Sequence, residues 1–163
     1  MAIKWPLTLY YFVLAPKISG TLSVVGSSYI IQDVLRDPQK RKKFSARIML
    51  GLSVMDVLSS FSAYILTSWP RPAGSMPWAI GTVETCDASA FFTTIGFFGV
   101  PLYNCSLVSY YLVQLDYGWP DRKINAIEKW FHIVPWSVGI LFAIAGVATK
   151  SFGPFQSICW CVM

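Results

Sequence analysis

The sequence predicts an all-α membrane protein built on four transmembrane helices, and three observations carry that expectation. Four apolar stretches, at about 8–35, 45–69, 88–115 and 130–149, each reach the roughly 20 residues that a helix needs to cross a hydrocarbon core about 30 Å thick. Hydrophobic residues make up 55% of the 163-residue chain and charged residues only 13%, where a soluble domain carries about a quarter charged residues. The positive charge is also concentrated: of 13 Lys and Arg, six (Arg36, Lys40, Arg41, Lys42, Lys43 and Arg47) fall in one short loop. Disorder and a disulfide-dense secreted fold are excluded by this composition. The clustering argues against nucleic acid as a partner, despite the net charge of +5, because no distributed phosphate-binding face remains.

The first apolar segment is longer than a crossing requires. Counting back from Arg36 at about 1.5 Å per residue, Lys17 lies about 29 Å away, where its ammonium reaches the far interface. Residues 1–15 are therefore expected outside the bilayer or along its surface. No small-x-small cleavage site follows the run LTLYYFVLA, only APKISG, so the segment is expected to stay attached. The loop RDPQKRKK comes next and, by the positive-inside bias, is cytoplasmic, which places the N-terminus on the non-cytoplasmic side.

The second segment leads to PRPAGSMPWAIGTVET, where Arg71 is set against Glu84 and, just beyond, Asp87; this connection belongs opposite the basic loop. The third and fourth segments flank the polar run DYGWPDRKINAIEK, whose Arg122, Lys123 and Lys129 agree with a cytoplasmic position. Trp69, Trp78, Trp119 and Trp130 fall near predicted helix ends, as interfacial aromatics do. Runs such as ILFAIAGVA do not alternate, so a β-barrel is excluded. The connections leave almost no chain for a soluble part, and residues 1–163 read as a single transmembrane domain.

Pro101 and Pro135 each remove a backbone donor within a predicted helix, so kinks are expected there. Gly20, Ser23, Gly26 and Ser27, then Gly51, then Gly139, Ala143 and Gly146 supply small faces on which helices can approach closely.

Asp56 is the most informative single residue, since a carboxylate in mid-membrane is costly and normally has a partner or a proton. It lies about 20 Å from Lys43, and Asn104 lies about 18 Å from Asp116 on the oppositely directed third helix. Ser23 and Ser27 bracket the same depth. Asp56, Asn104, Ser23 and Ser27 thus form a candidate intramembrane polar cluster, readable as a structural clamp or as a proton- or cation-linked switch.

Cys86, Cys159 and Cys161 stand on the predicted non-cytoplasmic side, where one disulfide from Cys86 to either of the last two is expected. The Asn104-Cys105-Ser106 pattern lies too deep for glycosylation. A single histidine, His132, placed at the cytoplasmic interface, rules out two-histidine haem ligation within the chain, and no metal-ligand set appears. No paired carboxylates, nucleophile with a base, or phosphate-cradling loop is visible, so an enzyme is not expected. No cofactor is evident; contacts with lipid or pigment are compatible with the aromatic content.

The runs PKISGTLSVVGSSYIIQDVL, RIMLGLSVMD, PLYNCSLVSYYLV and KINAIEKWFHIVP, together with Cys159-Trp160, resemble the G-protein-coupled receptors, in particular the cyclic-AMP-receptor and secretin-like type of unicellular algae and protists. RIMLGLSVMDVLSS looks like the second helix of such receptors, with Asp56 at their mid-helix acidic position. The resemblance implies the first four helices of a seven-helix fold and a bridge from Cys86 to Cys159, the cysteine before Trp160, with Cys161 the alternative. The acidic-Arg motif at the end of helix three is replaced by SYYLVQLDY, so the activation lock of rhodopsin-like members does not carry over.

Two functions follow as expectations. One is a receptor-like protein, a half or shortened form of a seven-helix signalling receptor, with a G protein as partner only if helices five to seven exist. The alternative is a non-catalytic accessory subunit of a larger photosynthetic or respiratory membrane complex. Lipids and other transmembrane helices or subunits are partners in either case.

Overall fold

A computed structural model describes residues 6–66, 68–119, 121–155 and 158–161; for residues 121, 122, 154, 155, 158 and 161 it describes the backbone only. Its helices are α1 (Leu7–Arg36), α2 (Pro38–Lys42), α3 (Phe44–Ser59, continued by a π-helical turn Ser60–Ile65), α4 (Val83–Leu115) and α5 (Asp121–Ala148). A hairpin of β1 (Phe152–Phe155) and β2 (Ile158–Cys161) follows. Four of these helices are long and apolar enough to cross a membrane: Leu7–Arg36, Phe44–Ile65, Val83–Leu115 and Lys123–Ala148. The protein is an integral, almost wholly helical membrane protein.

Several boundaries differ from the sequence reading, each for a local reason. The third crossing starts at Val83 rather than 88 because Thr82 and Thr85 form a reciprocal capping box that satisfies the first amide donors. The fourth starts at Asp121 rather than 130: the polar run from there to Lys129 contains no Pro or Gly, so the helix extends beyond its apolar part. The second ends at Ile65 rather than 69, in a turn closed by Trp69 N–H to Leu66 C=O at 2.9 Å. The basic loop holds the five-residue α2, with Pro38 in its first turn and Asp37 Oδ1 accepting from Gln39 N–H at 2.8 Å. α1, α4 and α5 continue through Pro16, Pro101 and Pro135 respectively.

Residues 7–15, expected outside the bilayer or along its surface, continue α1 by roughly 15 Å past Lys17. They pack on the connection after α3, where Val13 is buried with Met76 and Ala79 and Tyr10 meets Trp78 edge-on. That connection is folded back on itself, with Gly81 N–H donating to Arg71 C=O at 2.8 Å.

The main core lies between α3, α4 and α5 and is built from Phe44, Ile48, Met55, Ile95, Tyr103, Tyr110, Ile124 and Ala143. α1 contributes nothing to it and leans on α3 from outside. Leu22, Val25 and Tyr29 on its far face are exposed, as lipid-facing side chains are in a membrane helix. Close approach is set by small residues. A Cβ on Gly51 would meet the Tyr103 ring at 2.6 Å, and one on Gly139 would meet the Ile95 carbonyl oxygen at 2.8 Å. Gly26, expected on a packing face, has nothing within 4 Å of a Cβ position.

Candidate functional site

The site grows from two serines one turn apart on α1. Ser23 and Ser27 share a face at i, i+4, and both hydroxyls donate to the same oxygen of Asp56, Oδ2, at 2.7 and 2.5 Å. Among the described residues no cation pairs with Asp56. The carboxylate sits about 18 Å along α3 from Phe44, near the middle of the candidate crossing Phe44–Ile65. It opens on a cleft of 580 Å³ whose walls include Ser59, Ser60, Gly96, Phe97 and Pro101.

Asn104 does not join this cluster. Its side chain is exposed and donates at 3.1 Å to the Val100 carbonyl of its own helix. The buried line of α4 runs through Gly96, Gly99, Tyr103 and Tyr110, and Asn104, about 100° further round than Tyr103, points away from it. The rise per residue placed Asn104 at the right depth but leaves rotation undetermined.

Directly after Asp56 the α3 helix widens. Leu66 N–H donates to Phe61 C=O, a five-residue step, at 3.0 Å, and such turns are frequent at functional sites. Lys17 closes the end: its ammonium donates to the Ile65 carbonyl at 2.8 Å and lies 4.0 Å from the centre of the Trp69 ring. The sequence signal for Lys17 was its interfacial depth; its part as a cap for a neighbouring helix was not legible.

At the end of the bundle away from the basic loop, Cys86 is bonded to Cys159, with Cα atoms 5.3 Å apart. The alternative partner, Cys161, has its side chain outside the described residues. The bridge ties the start of α4 to β2, and in the hairpin Trp160, paired with Gly153 in register, packs edge-on against Phe97 at 4.8 Å. Phe97 also lines the Asp56 cleft. Hairpin, aromatic pair and cleft are therefore in physical series.

At the opposite end the six basic residues divide. Lys40 donates to both oxygens of Asp33 at 2.7 Å, which raises its ammonium pKa above the ordinary value. Arg47 pairs through Nη2 and Nε with both carboxylate oxygens of Glu128, the former at 2.7 Å, and its Nη1 donates to the carbonyls of Arg41 and Lys42 at 3.0 and 2.7 Å. Arg36, Arg41, Lys42 and Lys43 stay exposed.

Glu128 continues inward to His132, whose Nε2 is 3.8 Å from Oε1, and His132 Nδ1 is 3.0 Å from the fully buried Tyr103 hydroxyl. His132, expected at the cytoplasmic interface, is partly buried and links Glu128 to the core residue Tyr103. This chain of contacts across α3, α5 and α4 was missed. Its one signal in the sequence is Glu128 and His132 at i, i+4 where the helix becomes apolar.

Fold and site together define a helical membrane protein with a bridged hairpin and an acid midway along its second candidate crossing. The chain is similar to G-protein coupled receptor 157 of Homo sapiens, at 24% identity over 149 residues, which is 88% of this chain and 41% of that protein. The chain therefore spans about two fifths of that relative's length. No protein-family model matches, and no solved structure matches.

Proposed function

We propose that this chain corresponds to the first four helices of a receptor-like signalling protein of the seven-helix class, with the basic-loop end in the cytoplasm. In this reading the hairpin senses the outer side and Asp56 is a proton- or cation-linked element that biases the packing of α1 on α3. The observation that carries it is the Cys86–Cys159 bridge: it occupies the place that the receptor resemblance assigns, in a chain similar to a receptor over 88% of its length. The runs around Gly20, Asp56 and Trp160 favour the cyclic-AMP-receptor and secretin-like type among such receptors. The contact series from Trp160 through Phe97 to the Asp56 cleft supplies a route by which an outer event reaches mid-membrane.

The test uses the native protein, tagged at its own locus and purified in mild detergent. Recovery of a G-protein α subunit that is released by a non-hydrolysable GTP analogue is expected. Recovery as a stoichiometric subunit of a respiratory or photosynthetic assembly, with no nucleotide-sensitive partner, would replace this reading by the accessory-subunit one.

A further inference from the structure

The basic-loop end contains a cleft that the receptor reading does not use. It has a volume of 410 Å³ and lies between α2, the start of α3, the end of α4 and the start of α5; its walls include Gln39, Lys42, Lys43, Ser45, Gln114 and Asn125. Among the described residues no carboxylate lines it. Of the acids near it in sequence, Asp33 is paired with Lys40, Asp37 accepts from the Gln39 amide that it caps, and Asp116 is exposed at the end of α4 without lining the cleft. Glu128 is taken by Arg47.

Arg47 has a second part here. By donating to the carbonyls of Arg41 and Lys42 it holds the loop backbone where Lys42 and Lys43, two exposed residues of the cleft wall, leave it. Amide groups from Gln39, Gln114 and Asn125 and the Ser45 hydroxyl add neutral donors behind the two charges. The depth suits a headgroup. Trp119 and Trp130 mark the interface at this end, each with a lysine, Lys123 and Lys129, about 6 Å from its ring centre.

We infer that this cleft binds the phosphorylated headgroup of an anionic membrane lipid, with Lys42 and Lys43 on its phosphate monoesters and the amide and hydroxyl groups on its remaining oxygens. Orientation of the loop in the membrane needs only its charges; it does not need two of them set on the wall of a polar cleft that no described carboxylate lines. A headgroup carrying its own ammonium fits less well, since two fixed lysines oppose it.

The full chain is reconstituted in nanodiscs of phosphatidylcholine containing either 5% phosphatidylinositol 4,5-bisphosphate or enough phosphatidylserine to match the surface charge, and bound lipid is counted by native mass spectrometry. Selection of the phosphorylated lipid by at least 10-fold is expected. Each cation at the surface is worth about 5-fold, so either double variant lowers retention of both lipids by up to about 25-fold through surface charge alone, and K42Q/K43Q is expected in addition to abolish the selectivity for the phosphorylated lipid. R36Q/R41Q, which removes two cations from outside the cleft, is expected to keep the selectivity while lowering binding of both lipids alike. The Cys86–Cys159 bridge and the helical signal serve as folding controls, and all four substituted side chains are exposed. Equal retention of the two lipids at matched charge, or selectivity that survives K42Q/K43Q as well as it survives R36Q/R41Q, would overturn the site in favour of unspecific surface charge. Soluble inositol trisphosphate binding as tightly as the lipid would overturn the membrane source.

Discussion

Two serine hydroxyls share one carboxylate oxygen of Asp56, a residue that also lines a cleft, and that arrangement can serve as a clamp or as a switch. An asparagine amide oxygen accepts the same two bonds, so Asp56→Asn should fold and melt within about 1 kcal/mol of the parent. If Asp56 is a proton- or cation-linked element, the same change removes any dependence of the melting temperature on sodium and pH that the parent shows. Thermal unfolding in detergent with sodium exchanged for a bulky cation reads both effects, and a parent insensitive to sodium and pH would leave only the clamp. Tyr103 makes a second, independent case. Its hydroxyl is buried and meets His132 at 3.0 Å. Tyr103→Phe should therefore cost about 1 kcal/mol, and a double-mutant cycle with His132→Phe should recover most of that as coupling. Additivity in the cycle would show that the contact contributes nothing.

Among the elements, the π-helical turn at Ser60–Ile65 depends on a side chain from another helix. Lys17→Met keeps the length and apolar stem but withdraws the ammonium from the Ile65 and Leu66 carbonyls. Faster hydrogen exchange at the amides of the turn, together with a loss of about 1–2 kcal/mol, is expected; unchanged exchange would mean that the turn is held by packing alone. What the sequence could and could not reveal divides along the same line. Hydropathy and length located all four crossings because the cost of burying peptide groups in lipid depends on length and composition, both of which are printed in the chain. Helix ends were missed by up to nine residues where capping and helix propensity extended a helix into polar sequence, as at Val83 and Asp121. The hairpin was missed because a four-residue strand leaves too short a pattern. In the candidate site, Ser23, Ser27 and Asp56 were found because i, i+4 spacing and depth coincide, whereas Asn104 was misplaced because nothing in a uniformly apolar helix marks which side faces its neighbours. The Arg47–Glu128–His132–Tyr103 chain joins three helices, and such a meeting is decided by tertiary packing.

Across the whole molecule, two ties hold the ends of the bundle: the Cys86–Cys159 bridge, whose cysteines are 73 positions apart, at one end and the Arg47–Glu128 pair at the other. Cys86→Ser should cost about 2–4 kcal/mol, chiefly by freeing the unfolded chain. Which end faces the cytoplasm is the prediction on which the receptor reading and the lipid cleft both bear. Arg36, Arg41, Lys42 and Lys43 remain exposed after the internal pairs are formed, so the charge asymmetry that the positive-inside bias acts on survives folding. The connection at the other end carries Arg71, which is itself nearly buried, with its Nη1 3.0 Å from the Met76 sulfur. It therefore adds little positive charge to that surface. A cysteine at Gln39, whose side chain is exposed, should resist an impermeant maleimide in sealed right-side-out cells and react only after permeabilisation. A cysteine at Ser75, exposed in the opposite connection, should react at once. The bridge gives the same answer by a separate route, because an oxidising compartment is needed at its own end. Labelling of Gln39→Cys in intact cells, with Ser75→Cys protected, would reverse the orientation; the bridged hairpin would then face the reducing side, and its role as an outer sensor would fall with it.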